Sequence, residues 1–412
     1  MYLKAINRFG FILLIVVLST AFAFSQKQSL IEANNTFGWN FYKATKPDSS
    51  NFFISPFSLN VALALTSEGA RESTLSALNK LLVLEGITRK TTQYRELISQ
   101  TVNVQDSAFQ DCLKWSIEKP KGNAFYLANS LWINEDCKVD EDFIKASRFD
   151  YFSDVFSFKK ESIKQANQNL NQWIAEKTNN KINQISEIDS DTQLGIINAI
   201  YFLGEWALPF NPKKTKVKNF HTIEKEKIKV SFLNGQSHYR YFENDDAQFI
   251  EIPYSCNQFS MIVALPGKRY AINELEGKLD NDYMSYTINN LKTHEVIFSM
   301  PKFKIETELI PKDAIIKMGF PEMFSDVANF SGMSSSRLKI GKIVHKTLIE
   351  VNEKTTEATA TTMVEMVVVG YGGGEPPPPP PPPKVFNANH PFIFFIIDNR
   401  TKATLFVGRY AK

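Results

Sequence analysis

Cysteine is scarce in this chain of 412 residues, where Cys112, Cys137 and Cys256 are the whole complement. So odd and sparse a count, with no Cys-x-x-Cys spacing, excludes a disulfide-stapled framework and offers no zinc site. The histidines His221, His238, His294, His345 and His390 are scattered, with none at the i, i+4 spacing of a zinc-binding helix. An excess of charge of one sign is missing as well. Lys and Arg number 47 against 44 acidic residues, a net +3 that excludes a strongly basic nucleic-acid binder. The lysines Lys213, Lys214, Lys216 and Lys218 near Pro212 read as a solvated strand or loop, not a polyanion site. There is no Gly-x-Ser-x-Gly elbow, no Gly-x-x-x-x-Gly-Lys phosphate loop and no kinase-type loop, so no residue pattern demands an enzyme or a cofactor. The glycines from Gly370 to Gly374 run into proline and not into a helix N-terminus, and they read as linker.

Long apolar runs are confined to the start of the chain. A basic opening, an apolar stretch from Gly10 to Leu18 and small residues around Ala21 to Ser25 have the form of a secretory signal peptide over residues 1–25, cut after Ala23 or Ser25. No later stretch reaches the ~20 residues of a membrane span. The mature chain is therefore expected to be secreted, extracellular, soluble and without a membrane partner. Sequons occur at Asn34, Asn329 and Asn399.

Length alone allows two or three domains or one large one. Apolar Leu30, Ala33, Phe37, Phe41 and Tyr42 predict an amphipathic helix over Ser29–Lys43, and Ser55-Pro56 predicts the start of another. A third is predicted over Asn167–Ile185. Strands are predicted at Ala124–Ile133, Leu194–Phe202, Phe249–Pro253, Phe259–Leu265, Glu295–Met300, Lys339–Val351, Phe392–Ile397 and Ala403–Tyr410. Helices early and strands late point to an α+β fold with mostly antiparallel or mixed sheets. The stretch Asp106–Lys121 and the segment Gly370–Lys384 read as exposed connections.

The stretch after Glu350 is unusual. Small and β-branched residues dominate from Thr355 to Val369, and then the chain dissolves into glycine and the block Pro376–Pro383. Read with the strand period of two, Thr356, Ala358, Ala360, Thr362, Val364, Met366 and Val368 share one face. Glu357 and Glu365 both fall on the other. The segment can enter a sheet without burying a charge on its inner face, so it reads as a strand in waiting on a flexible tether.

Ordered motifs extend this reading along the chain. They are NFFISPFS from Asn51, LANSLWI from Leu127, NQW from Asn171 with Thr178 and Lys181-Ile182, and NAIYFLGEW from Asn198 followed by Phe210, Thr215 and Phe220. MIVALPG from Met261, MPKF from Met300, FSGM from Phe330, His345-Lys346, the Glu350–Ala360 hinge, NHPF from Asn389 and LFVGR from Leu405 complete the series. In this order and spacing the chain resembles the serpins, the serine protease inhibitors, over nearly all of residues 26–412.

The resemblance implies a single serpin domain with three β-sheets, about nine helices and an exposed reactive-centre loop at about residues 353–385. It implies a suicide inhibitor, not an enzyme. A target protease cleaves the loop and is acylated by it, and the loop then inserts into the central sheet and carries the trapped enzyme away. From Thr356 to Val369 is 14 residues, about 46 Å of strand. By position, Ser55, Ser58, Asn198 and His345 are expected beneath the point where the central sheet opens. Trp206 and Lys302 are expected with Glu353 at its top. The hinge is Glu353, Lys354, Thr355, Thr356, Glu357, Ala358, Thr359, Ala360, Thr361 and Thr362. Its spacing places the reactive bond at Val369-Gly370, suited to an elastase-like pocket, or at Tyr371-Gly372, suited to a chymotrypsin-like one. The expected partner of this monomer is a serine protease of either kind, with cross-class inhibition of a cysteine protease as an alternative. Thr355 stands where inhibitory serpins have glycine, so a non-inhibitory carrier, chaperone or storage role is the competing reading. The eight prolines make a stiff rod of about 25 Å downstream of the bait.

Overall fold

The computed structural model describes residues 30–102, 124–353 and 381–412. The signal peptide, the connection Asp106–Lys121, and the hinge and bait from Lys354 onward with both candidate bonds lie outside the described residues.

Nine α-helices are present among the described residues. The first, α1 (30–45), buries Leu30, Ala33, Phe37, Phe41 and Tyr42, the stripe that predicted it. After β1 (Phe52–Ile54), Ser55 caps α2 (Pro56–Gly69), its hydroxyl accepting from the Ser58 N–H at 3.2 Å. Proline in that first turn gives up an N–H that would have had no helical partner. Then come α3 (Glu72–Leu81), α4 (Lys90–Val102), β2 (Ala124–Asn134), α5 (Glu141–Asp150) and β3 (Asp154–Phe158). Helix α6 (Ile163–Lys177) is shorter than the sequence predicts. Beyond Thr178 the backbone turns left-handed at Asn179 and Asn180, with φ of 52° and 57°, and residues 181–193 continue as coil. Asparagine tolerates that conformation through local hydrogen bonding, so it ends the helix where the apolar period alone would extend it.

The rest of the chain is strand-rich: β4 (Leu194–Leu203), β5 (Lys216–His221), β6 (Lys227–Glu243), β7 (Ala247–Pro253), β8 (Phe259–Pro266), β9 (Lys292–Pro301), β10 (Phe303–Leu309), β11 (Lys342–Val351), β12 (Lys384–Asn387), β13 (Phe392–Asp398) and β14 (Thr404–Tyr410). Helices α7 (Ile272–Lys278), α8 (Asn281–Asn290) and α9 (Lys312–Lys317) lie between them. Two hydrogen-bonded ladders result. One runs β1-β14-β13-β8-β7-β6-β9-β12 with β5 beside β6, and the other runs β10-β11-β4-β2-β3. Two of the three sheets expected are thus joined, because the 17-residue β6 pairs with β9 over Phe232–Tyr241 and with β7 over Arg240–Glu243.

Every residue of β13 and β14 is buried, and their near-continuous apolar sequences reflect cover on both faces. The abundance of phenylalanine finds its use here, with the Phe53 ring stacked between Phe406 at 5.0 Å and Phe394 at 5.8 Å. A second cluster lies across the five-stranded sheet under α6. It joins Leu170, Trp173 and Ile174 to Trp132, Ile197, Tyr201, Val344 and Leu348. Strand β12 begins at Lys384, directly after the last proline, because residues without an N–H cannot extend its ladder with β9. No helix among the described residues is long and apolar enough to cross a membrane. Asn34 is buried with its amide donating to the Thr404 carbonyl at 3.3 Å, so the folded protein seals that sequon.

Candidate functional site

In the five-stranded sheet β4 and β11 lie side by side and parallel, paired from Lys342↔Gly195 to Leu348↔Tyr201. The pairing stops there, although β11 continues to Val351 and β4 to Leu203. The upper ends of the two strands therefore carry backbone that is not paired across the seam.

Behind the seam, Asn198 and His345 are register partners on the face turned away from α6. Ser55, Ser58, Asn198 and His345 are all fully buried. Capping α2 fixes the two serines, and the strand register fixes the other pair. The Ser55 N–H donates to His345 Nε2 at 3.1 Å, so that nitrogen is unprotonated and Nδ1 carries the hydrogen, donating to Asn198 Oδ1 at 2.5 Å. The Asn198 amide in turn donates to the Ser58 hydroxyl and to Asn129 Oδ1, and the Ser55 hydroxyl donates to the Leu405 carbonyl at 2.8 Å. Burial pushes the His345 imidazole down to about 3, so it is neutral at physiological pH. The structure thus brings together the four residues expected beneath the opening point. Asn129 and the Leu405 carbonyl complete the network. Asn129 stands in the LANSLWI motif, and strand pairing to Asn198 reveals its role.

At the top of the seam the chain leaves β11 through Asn352 and Glu353. Lys302 pairs with Glu353 at 2.6 Å, and the Thr215 hydroxyl donates to the same carboxylate at 2.5 Å. Burial would raise this carboxyl, but the bonds from Lys302 and Thr215 outweigh it and hold it below its ordinary range. The Trp206 indole donates to the Asn352 carbonyl at 3.0 Å and stacks on Tyr254 with ring centroids 4.5 Å apart. Gly204 permits that stack, because a β-carbon there would meet the Tyr254 ring at 2.4 Å. A small cleft lined by Phe202, Gly204, Trp206, Tyr254, Ile349, Glu350 and Asn352 sits between the unpaired strand ends. Lys302, Thr215 and Glu353 thus form one contact set and Trp206, Asn352 and Tyr254 another, joined through the Asn352-Glu353 backbone. Thr215 and Gly204 both stood in quoted motifs without an assigned role. The hinge from Lys354 to Thr362, and Val369, Gly370, Tyr371 and Gly372, lie outside the described residues. No cluster of metal-ligating side chains occurs among the described residues.

This arrangement can hold the base of a tethered strand at the mouth of a parallel seam with buried polar side chains behind it. The family model described as Serpin (serine protease inhibitor) matches residues 32–412. An uncharacterized serpin-like protein of Thermococcus kodakarensis is 32% identical over 391 residues, 93% of this chain and 86% of the relative. The leukocyte elastase inhibitor of Xenopus tropicalis is 28% identical over 398 residues, covering 93% of this chain and 99% of the relative. Among solved structures, the native state of the thermophilic serpin tengpin superposes with a TM-score of 0.78 at 28% identity, covering 93% of this chain and 94% of that one.

Proposed function

We propose that this chain, which belongs to the serpin family, is a secreted suicide inhibitor of serine proteases with an elastase-like target. Protease inhibition, and not catalysis, is the general activity of the family. The finer reading rests on one observation above the rest, the parallel β4–β11 seam with the chain anchored at its mouth by Glu353. A segment turning back from β11 runs antiparallel to β11 and to β4 alike. Its insertion replaces one parallel interface by two antiparallel ones, the slightly more stable kind per residue, and adds a strand's burial. That gain is withheld while the loop is tethered at both ends, and cleavage releases it. Ser55, Ser58, Asn198, His345 and Asn129 then act as the polar set that must part and re-form as β11 moves off β4. Trp206, Lys302, Thr215 and Glu353 hold the first residues of the hinge ready to enter.

Val369-Gly370 is the proposed reactive bond, since a small aliphatic residue suits a small apolar pocket and a relative bears the name of elastase inhibitor. The test is to mix the protein with pancreatic elastase and with chymotrypsin and run denaturing gels. We expect an elastase complex that survives denaturant and a released peptide beginning at Gly370. A peptide beginning at Gly372 with chymotrypsin moves the bond to Tyr371. Loop cleavage with neither a trapped complex nor gained heat stability defeats the inhibitory reading in favour of a carrier or storage role. Secretion is tested separately, by mass spectrometry of the exported protein, whose first residue should be Phe24 or Gln26.

A further inference from the structure

The β6–β7 turn, the loop after β8 and the strand β12 meet at one outer corner of the nine-stranded ladder. A cavity of about 580 Å³ opens there, lined among others by Glu243, Asp245, Gln248, Gly267, Val385 and His390. Its carboxylates belong to the turn. Glu243 is paired with Lys384 at 2.7 Å, and the neighbouring Asp246 with Lys278 at 2.5 Å. Asp245 is exposed and has no ion-pair partner among the described residues.

The loop Gly267–Tyr270 is exposed throughout and starts at the cavity wall, where the Gly267 N–H donates to the Asp246 carbonyl at 2.8 Å. It brings Lys268 and Arg269 beside the turn between β5 and β6, whose Lys225 ammonium lies over the Tyr270 ring at 5.8 Å. The same hairpin is tied to the corner by the His221 N–H, which donates to the Asn389 carbonyl at 2.9 Å, while the adjacent His390 bonds the Pro266 carbonyl at 3.0 Å. Lys227 stands opposite His221 in the hairpin register. Lys225, Lys227, Lys268 and Arg269 have no ion-pair partner among the described residues, although Glu224 and Glu226 stand in the same turn.

A basic half and an acidic half therefore lie side by side, each with unpaired charge. Each also carries one exposed apolar side chain, Tyr270 at 47% and Val385 at 57%. With Lys278 and Lys384 included, the two signs nearly balance over the whole corner, which suits neither a polyanion nor a polycation. Such a surface is its own complement. A twofold axis between the halves sets the basic half of each copy on the acidic half of the other, with an aromatic side chain beside a cavity that can receive it.

We propose that this corner is a self-association surface through which two copies of the chain form a dimer, rather than the monomer expected from the sequence. Asp245 of each copy faces Arg269 of the other, and Tyr270 of each enters the opposite cavity. Strand β12 begins directly after the proline block, so the roots of two bait arms lie in one assembly. The dimer is independent of protease inhibition, because none of these residues belongs to the β4–β11 seam.

The test is sedimentation equilibrium over a range of protein concentrations, at low salt and at ~1 M salt, where the screening length shrinks to ~3 Å. A monomer–dimer equilibrium is expected at low salt and monomer alone at high salt. Asp245→Lys and Arg269→Glu should each weaken the dimer at least about tenfold, since each sets like charges against one another across the axis. An equal mixture of the two variants should dimerise again, because every reversed charge then meets its opposite. Tyr270→Ala should weaken the dimer without altering its salt dependence. Lys145→Glu, on α5 and outside this corner, should leave it unchanged, and unchanged melting midpoints in all variants show that the fold is kept.

A protein that stays monomeric at low salt overturns the proposal. So does a dimer that neither reversal weakens, or a mixture of the two variants that stays monomeric. A monomer retained on a sulfated-dextran column through Lys227 and Arg269 assigns the corner to a polyanion and overturns it as well.

Discussion

In β13 and β14 most of the interior is phenylalanine, isoleucine, leucine and valine, and the Phe53 ring stacks on Phe406 at 5.0 Å and on Phe394 at 5.8 Å. At the β4–β11 seam the interior holds Asn198 and His345, bonded to Ser55, Ser58 and Asn129. Both regions are fully buried, yet their chemistry differs in what happens on separation. Apolar packing loses its stabilisation in proportion to the area exposed. A hydrogen-bonded polar set can exchange partners, so the same groups can be satisfied before and after a new strand arrives. One region is suited to staying closed and the other to opening along a defined line.

Changes in the interior of β13 and β14 should have the largest effect. Phe394→Ala should lower stability by about 3–5 kcal/mol through cavity formation, read as a fall in the denaturant midpoint with exchange protection lost throughout. Its ring lies where a β-carbon on Gly408 would stand, 2.4 Å away, so there is little room for other side chains to refill the gap.

His345→Ala should be milder, about 2 kcal/mol, since it leaves the Ser55 N–H and Asn198 Oδ1 without partners at roughly 1–3 kcal/mol each before relaxation. The contrast with Phe394 is sharpest in hydrogen exchange, where amides of β4 and β11 should lose protection while those of β13 keep it. Equal loss in both regions would erase the distinction between them. The same residue makes the seam sensitive to acid. Its folded value, about 3, lies below the ordinary 6.5, so the unfolded chain takes up a proton first. The stability that neutral His345 contributes is complete above pH ~6.5 and is lost as pH falls towards 3. Between pH 7 and 4 the midpoint of wild type should therefore fall more steeply than that of His345→Gln.

Asn180→Ala should cost about 1 kcal/mol, because its backbone is left-handed just beyond the end of α6. Glu353→Gln should have the smallest effect on stability, at most about 1 kcal/mol, for an ion pair whose Lys302 partner remains partly exposed. It should instead speed hinge entry, measured as faster uptake into the sheet of a synthetic peptide with the sequence of residues 356–369. No change in uptake would leave the top of the seam without a gating role.

Much of this was legible along the chain. The apolar period found α1, the Ser-Pro pair found α2, and the eight predicted strands all correspond to observed ones within a few residues. The 17-residue β6 escaped detection. Its burial alternates only in part, and it carries Lys227, Lys229, Asn234, Gly235 and His238, a pattern that resembles exposed loop. The sequence extends α6 too far because Ile182 and Ile185 continue its apolar period while lying in the coil that follows the helix. Family motifs supplied the seam residues by position, but the tautomer of His345 and the participation of Asn129 and Thr215 follow only from contacts between segments far apart in sequence.

By itself the sequence determined which segments could be buried on which face, and that a strand-compatible, proline-tethered stretch follows β11. Periodicity, capping and proline chemistry are local, so they survive without a fold. Tertiary structure alone decided that β4 and β11 would be parallel neighbours with their upper ends unpaired, and that α6 and the coil after it would pack against both strands. Those facts depend on strand order and register, which bring Lys346 to Gln184 and Asn198 to His345 across about 150 residues, a distance that local pattern does not encode.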